Sequence, residues 1–317
     1  MNNKNRKMLA KIAYLYYVKD KSQNEISKEL GIYRTTISRM LKCAREQGIV
    51  KIDISGFDTE MFRLENYIKD KYGLKSVDIV MNSEDDIDGE VARVGAGIVR
   101  DLLFNNCKVG VSWGKTLSDV IENMTPKSME GVKFFPLTGG PSKINVRYHV
   151  NTLVYAMALK FQGECSLVNA MVVQENAQLA QGIIWSKYFE EIRNSWKNLD
   201  IALVGIGGRV EETKKHWLDM LAKKDFKTIQ DSQAVGEICC RFLVRGDRAK
   251  VVDLDNRTIS IPLDDLKQIE NVVAVAYGIE KAEAILEAVK NGYVNRLVTD
   301  YTTVIKMLEC DGDMNFS

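Results

Sequence analysis

Ser22-Gln23-Asn24-Glu25-Ile26-Ser27-Lys28-Glu29-Leu30-Gly31-Ile32-Tyr33-Arg34-Thr35-Thr36-Ile37-Ser38-Arg39-Met40-Leu41 reads as two short helices that cross at a tight turn. Ile26 and Leu30 are four apart on the first helix. Ile37, Met40, Leu41 and Ala44 form the same kind of stripe on the second, so each segment has an inward face. Gly31 lies between them, and a residue without Cβ suits a turn where two helices pass closely. Arg34, Thr35, Ser38, Arg39 and Lys42 stand on the outward side of the second helix, with Gln23, Tyr33 and Thr36 beside them. These donors have the lengths that meet base edges and phosphates in a major groove, so the pair is expected to be a helix-turn-helix on double-stranded DNA.

Charge separates this reading from a helical pair that merely has a solvated face. Residues 1–55 carry twelve Lys or Arg against five Asp or Glu, a surplus of seven, whereas the whole chain has a net charge of only +1. Positive charge is thus concentrated where a phosphate-binding surface needs it.

The full length of 317 residues, 45% hydrophobic and 27% charged, suits one large domain plus a small one. The N-terminus opens on charged and amide residues, and the apolar windows are broken by charge before about 18 residues, so the expectation is a cytoplasmic protein without a membrane segment. Cys43, Cys107, Cys165 and Cys310 are scattered and Cys239-Cys240 are adjacent, a spacing that suits neither a CxxC redox site nor a zinc knuckle. With His149 and His216 the only histidines, no metal site is expected.

Moving outward from the helical pair, residues 6–18 predict a support helix with Leu9, Ile12, Ala13 and Tyr16 on its apolar side. Residues 48–54 change to alternation, with Val50, Ile52 and Ile54 on one face and Lys51 and Asp53 on the other, as the strand of a wing would. Phe57, Met61, Leu64, Ile68 and Tyr72 then form a narrow seam on a charged helix, which fits packing on the following domain or pairing with a second subunit. The boundaries that follow are 1–55 for the DNA-binding domain, 56–75 for a linker or oligomerisation helix, and 76–317 for the large domain.

In that large domain, strand and helix patterns alternate. Strands are expected at 77–81, 109–112, 132–137, 167–172, 201–204, 272–276 and 296–298, and helices at 90–104, 116–124, 150–161, 281–290 and 301–308. This is an α/β domain around a mainly parallel sheet, with 223–269 less regular. Four glycine loops follow strands: Gly110-Val111-Ser112-Trp113-Gly114-Lys115-Thr116, Thr138-Gly139-Gly140-Pro141-Ser142, Gly205-Ile206-Gly207-Gly208, and Tyr277-Gly278-Ile279-Glu280-Lys281. A glycine after a parallel strand is often only the turn into a helix, but four in register suggest one crevice at the strand ends. No G-x-G-x-x-G opens the first helix and no G-x-x-x-x-G-K-[ST] occurs, so no nucleotide cofactor is expected.

Several motifs carry a family resemblance: Tyr16-Tyr17, Gln23-x-x-Ile26-Ser27-x-x-Leu30-Gly31, Thr36-Ile37-Ser38-Arg39, Arg45-Glu46-Gln47-Gly48-Ile49-Val50, Gly110-Val111-Ser112-Trp113-Gly114, Val204-Gly205-Ile206-Gly207, Val235-Gly236-Glu237-Ile238 and Lys281-x-x-Ala284-Ile285. By these the chain resembles the SorC-type sugar-responsive bacterial transcription regulators, typified by the sorbose operon regulator, and resembles that branch most at residues 30–39, 139–142 and 147–153. The resemblance implies a winged helix-turn-helix joined to a Rossmann-like sugar-binding domain similar to ribose 5-phosphate isomerase and glucosamine 6-phosphate deaminase. It also implies a tetramer of paired dimers, and a sugar or sugar phosphate effector, of sorbose type as first guess. By position it implies an effector crevice at Gly110, Ser112, Trp113, Gly114, Lys115, Thr116, Gly139, Gly140, Asn151, Thr152, Gly205, Gly207 and Lys281. Lys143, Arg147 and His149 give this chain its own polar set nearby. The alternative is a sugar phosphate isomerase-like enzyme carrying a DNA-binding head, with Asp200, Asp253, Asp255 or Glu280 as its carboxylates. A lone carboxylate beside a glycine loop is more often a hydroxyl ligand or a helix cap, so no catalytic residue is expected.

Overall fold

A computed structural model describes residues 3–51, 59–81, 86–141, 144–210, 220–245 and 248–316. The chain divides into two compact units, Met1–Thr59 and Glu60–Ser317.

Unit 1 holds α1 (Asn3–Tyr17), α2 (Gln23–Leu30) and α3 (Arg34–Glu46). Helix α2 starts where Ser22 and Glu25 cap each other: the Glu25 N–H donates to Ser22 Oγ at 3.3 Å, and the Ser22 N–H donates to Glu25 Oε2 at 2.8 Å. It stops at Gly31, whose φ of +64° lies in the left-handed region where a Cβ is strained. The inward stripes meet as the spacing requires: Ile12, Leu15, Ile26, Ile37 and Leu41 bury one another, and Leu9, Ala13 and Ala44 make a second cluster beside them. Residues 48–51 form a turn and a bend rather than a strand, because the amides of Ile49 and Val50 fold back onto the Ala44 carbonyl at 2.9 and 3.1 Å and finish the helix. The rest of the expected wing, with Ile52, Asp53 and Ile54, and the seam residue Phe57 lie outside the described residues.

Unit 2 opens with α4 (Thr59–Tyr72), β1 (Ser76–Val80), α5 (Ile87–Leu102), β2 (Lys108–Val111), α6 (Lys115–Asn123) and β3 (Lys133–Pro136). Then come α7 (Val150–Phe161), β4 (Glu164–Cys165), α8 (Ala177–Ile184), α9 (Glu190–Trp196), β5 (Ile201–Val204), β6 (Ile206–Gly207), α10 (Lys223–Asp231), β7 (Ala234–Ile238) and β8 (Arg241–Val244). It closes with α11 (Val252–Arg257), α12 (Leu263–Gln268), β9 (Asn271–Val275), α13 (Ala282–Lys290), β10 (Arg296–Asp300) and α14 (Tyr301–Cys310). Within unit 2 the seam of α4 is turned inward, since Leu64 and Ile68 belong to the main core and Met61, Tyr67 and Tyr72 pack partly against it.

Seven strands form one parallel sheet in the order β1-β10-β9-β5-β2-β3-β4. Its middle strands read as unbroken aliphatic runs because both faces are covered: every residue of β5 and of β9 is buried. From β2 the chain winds through β3 to β4, while from β5 it winds the other way through β9 to β10, so the order reverses between β2 and β5. The expected strand at 167–172 is not part of this ladder. The segment makes only an isolated bridge, Met171 to Gly140, with a second just past its end, Val173 to Thr258. The irregular stretch contributes β7 and β8 to a separate antiparallel sheet, β6-β7-β8, completed by β6 from just after β5; its β7–β8 turn is made by Cys239 and Cys240 with φ of 50° and 61°. Two positive φ values are what a two-residue hairpin turn of this hand requires.

Candidate functional site

The strand order reverses between β2 and β5, and a crevice of about 280 Å³ opens beyond the carboxyl ends of these strands. Ser112 to Leu117 line it from β2 and α6, Gly205 to Gly207 from β5 and β6, Glu237 and Cys239 from β7 and its turn, and Val275 and Lys281 from β9 and its loop. Ile144 and Tyr148 close the remaining side.

The rim is built around the start of α6. Gly114 caps that helix with φ of +132°, a conformation open to glycine, and gives its N–H to the Tyr148 carbonyl at 3.1 Å. No side chain caps α6, so its first turn, Lys115 to Leu117, presents amide groups and the positive end of the helix dipole to the crevice. Trp113 is held by its Nε1–H, which donates to Cys240 Sγ at 3.0 Å. Lys115 is already committed: its Nζ donates to Asp88 Oδ2 at 2.7 Å and to Asp119 Oδ2 at 2.8 Å, and both contacts raise its pKa. Hydrogen bonds from Lys115 and Tyr277 in turn lower Asp88.

Two charged groups inside the crevice are under strain from burial. Burial pushes the Glu237 carboxyl up to about 7 even though it accepts the Cys240 N–H at 2.7 Å. Burial also lowers Lys281, with Glu280, Glu237 and Asp88 pulling in the other direction. A carboxyl near neutrality and a partly desolvated ammonium facing one small space form a pair that can hold both hydroxyls and an anion.

Of the residues expected at an effector site, Ser112, Trp113, Gly114, Lys115, Thr116, Gly205, Gly207 and Lys281 come together here. Gly110 does not: it sits inside β2, where a Cβ would stand 2.4 Å from Leu137 Cδ2. Gly139 and Gly140 also lie away from the crevice. The Gly139 N–H donates to the Ile259 carbonyl at 2.7 Å and the Gly140 N–H to that of Ala170 at 2.8 Å, and a Cβ on Gly139 would fall 2.7 Å from Val172 Cα. Gly139 lets a neighbouring backbone approach and Gly140 makes room for the His149 ring, whose Nε2 would stand 2.6 Å from a Cβ there. Asn151 clamps Val168 through both its N–H and its carbonyl, at 2.9 and 2.8 Å, and Thr152 sits in the same first turn of α7 outside the lining. His149 caps α7, accepting the Asn151 N–H on Nδ1 at 3.2 Å, Arg147 pairs with Glu122 at 2.6 Å, and Ser142 and Lys143 lie outside the described residues.

Glu237, Tyr148 and Ile144 enter the lining without having been expected there. Glu237 had a signal, the Val235-Gly236-Glu237-Ile238 motif, but no periodicity placed that motif beside the β5 loop. Of the four candidate catalytic carboxylates, three have partners outside the crevice and the fourth is open to solvent. Asp200 accepts the Lys108 N–H at 2.8 Å, Asp253 pairs with Arg257 at 3.1 Å, Asp255 pairs with Arg241 at 3.4 Å, and Glu280 is exposed.

A larger cavity, about 710 Å³, borders α8, α9 and α12. Its Arg241 spends its guanidinium on the carbonyls of Ile261 and Ser260 at 2.8 and 2.7 Å, and its other walls lead into the amino ends of β5, β9 and β10. Ligands of open α/β sheets bind at the opposite, carboxyl ends, which favours the smaller crevice.

In unit 1, Arg34, Thr35, Ser38, Arg39 and Lys42 are all exposed on α3; Tyr33 ahead of it is 85% exposed, and Thr36 and Gln23 are half-buried. Among the described residues, no helix is long and apolar enough to cross a membrane.

Known proteins with the same layout are regulators. Residues 58–309 match the family model described as "Putative sugar-binding domain". The sorbitol operon regulator of Klebsiella pneumoniae is 36% identical over 314 residues, covering 97% of this chain and 99% of that protein. The deoxyribonucleoside regulator of Bacillus subtilis is 30% identical over 306 residues, covering 96% and 97%. The crystal structure of the full-length Klebsiella regulator SorC superposes with a TM-score of 0.75 over 96% of this chain and 100% of that one. A transcriptional regulator from Streptococcus pneumoniae TIGR4 does so at 49% identity with a TM-score of 0.78, over 81% of this chain and 100% of that one. With a sugar-binding family model spanning most of the chain and regulators aligned along nearly all of it, this chain belongs to the SorC-type family of sugar-responsive transcription regulators.

Proposed function

We propose that a phosphorylated ketose or polyol occupies the crevice and sets the affinity of a winged helix-turn-helix for an operator of a carbohydrate operon. The observation that carries this is the convergence of the uncapped first turn of α6, Lys281 and Glu237 on one space of about 280 Å³. The α6 amides and the Lys281 ammonium supply an anion site, while Glu237 and Ser112 orient hydroxyls. The space suits a single monosaccharide phosphate better than a dinucleotide. A sorbose- or sorbitol-type effector is the first to try, the second because the Klebsiella relative is named for the sorbitol operon. Residues 1–55 act as the DNA-binding domain, 56–75 as the connection and oligomerisation helix, and 76–317 as a Rossmann-like effector domain without catalysis. The assembly is at least a dimer, because an operator of two half-sites needs two recognition helices one turn of DNA apart, and the family resemblance extends it to a cytoplasmic tetramer of paired dimers.

Thermal-shift screening of ketoses, polyols and their phosphates, followed by operator titration with each hit, tests the crevice. A hit whose stabilisation survives Lys281→Ala would move the site elsewhere. For the DNA side, Arg39→Ala is expected to weaken operator binding by about 1–3 kcal/mol if it reads a base. Equal losses on specific and random DNA reassign Arg39 to phosphate, and unchanged affinity for both Arg34→Ala and Arg39→Ala removes the docking of α3.

A further inference from the structure

We propose that Asp311 and Asp313, in the tail beyond α14, are positioning residues that transmit the state of the crevice to α4, the helix next in the chain after unit 1. This deepens the effector reading of the crevice and rests on it.

The crevice end of the connection is Lys281, immediately before α13. Helix α13 is locked to the hairpin that carries Glu237. Gly236 lets β7 approach so closely that a Cβ there would stand 2.4 Å from Ala284 Cβ. Arg245 of that hairpin pairs with Glu283 at 3.2 Å and with Glu287 at 3.7 Å, and Arg209 also pairs with Glu283. Ala282, Ala284, Ile285, Leu286, Ala288 and Val289 are buried, so the nine-residue helix moves as a rod of about 13 Å or not at all. The loop leading into α13 is fixed to the start of α14, because the Gly278 N–H donates to Thr303 Oγ1 at 2.7 Å and to Asp300 Oδ1 at 3.2 Å.

At the far end of the rod, Lys290 pairs with Asp311. The same carboxylate takes Lys71 Nζ at 3.0 Å and the Tyr72 hydroxyl at 2.9 Å, both from α4. Asp313 binds Lys71 and the Tyr67 hydroxyl, and the Phe316 ring lies 4.9 Å from that of Tyr67. The α4 side of the latch thus uses Tyr67, Lys71 and Tyr72, the last turn and a half of the helix. Burial raises Asp311, but the hydrogen bonds from Lys290, Lys71 and Tyr72 outweigh it and hold the carboxyl at about 2. Leu64 and Ile68 anchor α4 by apolar, non-directional contact and Glu65 accepts the Ile79 N–H of β1 at 3.0 Å, whereas the latch fixes the orientation of the last part of the helix. A displacement of Lys281 on anion binding therefore reaches α4 along one packed helix and one shared carboxylate.

The test is amide hydrogen exchange over Thr59–Tyr72 in the full chain, in a double-mutant cycle that needs no ligand. Lys281→Met alters the crevice, and Asp311→Asn with Asp313→Asn opens the latch. With the latch intact, Lys281→Met is expected to change α4 exchange by about 2- to 30-fold; with it open, the change should vanish. The same fold-change in both backgrounds, or none in the intact one, overturns the proposal. Asp311→Glu keeps the charge and should retain the coupling, which separates the latch from a general loss of folding. Sugar phosphate stabilisation of the latch-open protein is measured alongside by thermal shift with D-fructose 6-phosphate and D-sorbitol 6-phosphate. Its retention with coupling lost supports the latch, whereas coupling without stabilisation by either probe counts against the crevice reading alone.

Discussion

Gly236→Ala separates glycines that hold the structure from glycines that line the crevice. A Cβ at Gly236 would stand 2.2 Å from the Gly207 carbonyl oxygen and 2.4 Å from Ala284 Cβ. Neither neighbour can rotate away, because one is the backbone of β6, paired to β7 through Gly207 and Glu237, and the other is already the shortest side chain. Relief requires β7 to part from α13. Overpacking costs about 1–3 kcal/mol, and two contacts this short belong at the upper end, about 3 kcal/mol. In a domain of this size each kcal/mol lowers Tm by about 2–4 °C, so a fall of about 6–12 °C is expected for unit 2 by calorimetry. Gly205→Ala is the control: the nearest heavy atom to its Cβ would be Leu117 Cγ at 4.0 Å, so its melting should match the wild type while the crevice narrows. If Gly236→Ala melted within about 2 °C of the wild type, the close packing of β7 on α13 would be wrong.

Glu237 should leave a pH signature. Burial raises its folded pKa from 4.5 to about 7, so the folded state holds the proton more tightly than the unfolded chain. Its favourable contribution is complete below 4.5 and is lost as pH rises through 7. Glu237→Gln should therefore flatten the decline in stability between those values in a urea titration series, and parallel profiles for the two proteins remove the burial argument. Arg257 and Asp225 form a buried pair at 2.6 Å, with side chains 7% and 5% exposed. Arg257→Ala should cost about 3–5 kcal/mol by stranding the carboxylate, and adding Asp225→Leu should recover much of it in chemical denaturation. No recovery would mean that the guanidinium acts mainly through its other partners, Asp253 and the Gln174 carbonyl. Ile37 is fully buried, so Ile37→Asp should unfold unit 1 and leave the transition of unit 2 in place; a wild-type melting profile with full DNA affinity contradicts the helix pairing.

What was legible in the sequence is what repeats. The bounds of β5 and α7 follow from unbroken aliphatic runs and 3.6-residue spacing, and Ser112 to Thr116, Gly205 and Gly207 meet because parallel strands bring their carboxyl ends to one edge. Gly110, Gly139 and Gly140 are indistinguishable from these in one dimension, since a missing Cβ makes room for a ligand, a neighbouring side chain or a neighbouring backbone equally well. The hairpin carrying Glu237 was obscured for a different reason. Strand β6 has two residues, and the turn that joins β7 to β8 is Cys239-Cys240, not the Asn-Gly that would announce it.

The seam on α4 left two partners open, a second subunit or its own domain, because a stripe at spacings of three and four satisfies either. Unit 2 buries Leu64 and Ile68 in its own core, so these two residues are not available to a second copy. Phe62 remains 48% exposed on the same helix, off the seam. A subunit contact made by α4 in the proposed assembly would use its exposed side, where Phe62 is the large apolar residue, and Phe62→Ser, which leaves the core stripe intact, should weaken that contact in sedimentation equilibrium without lowering the melting temperature of the separated subunit. An unchanged association constant places the subunit contact on other elements.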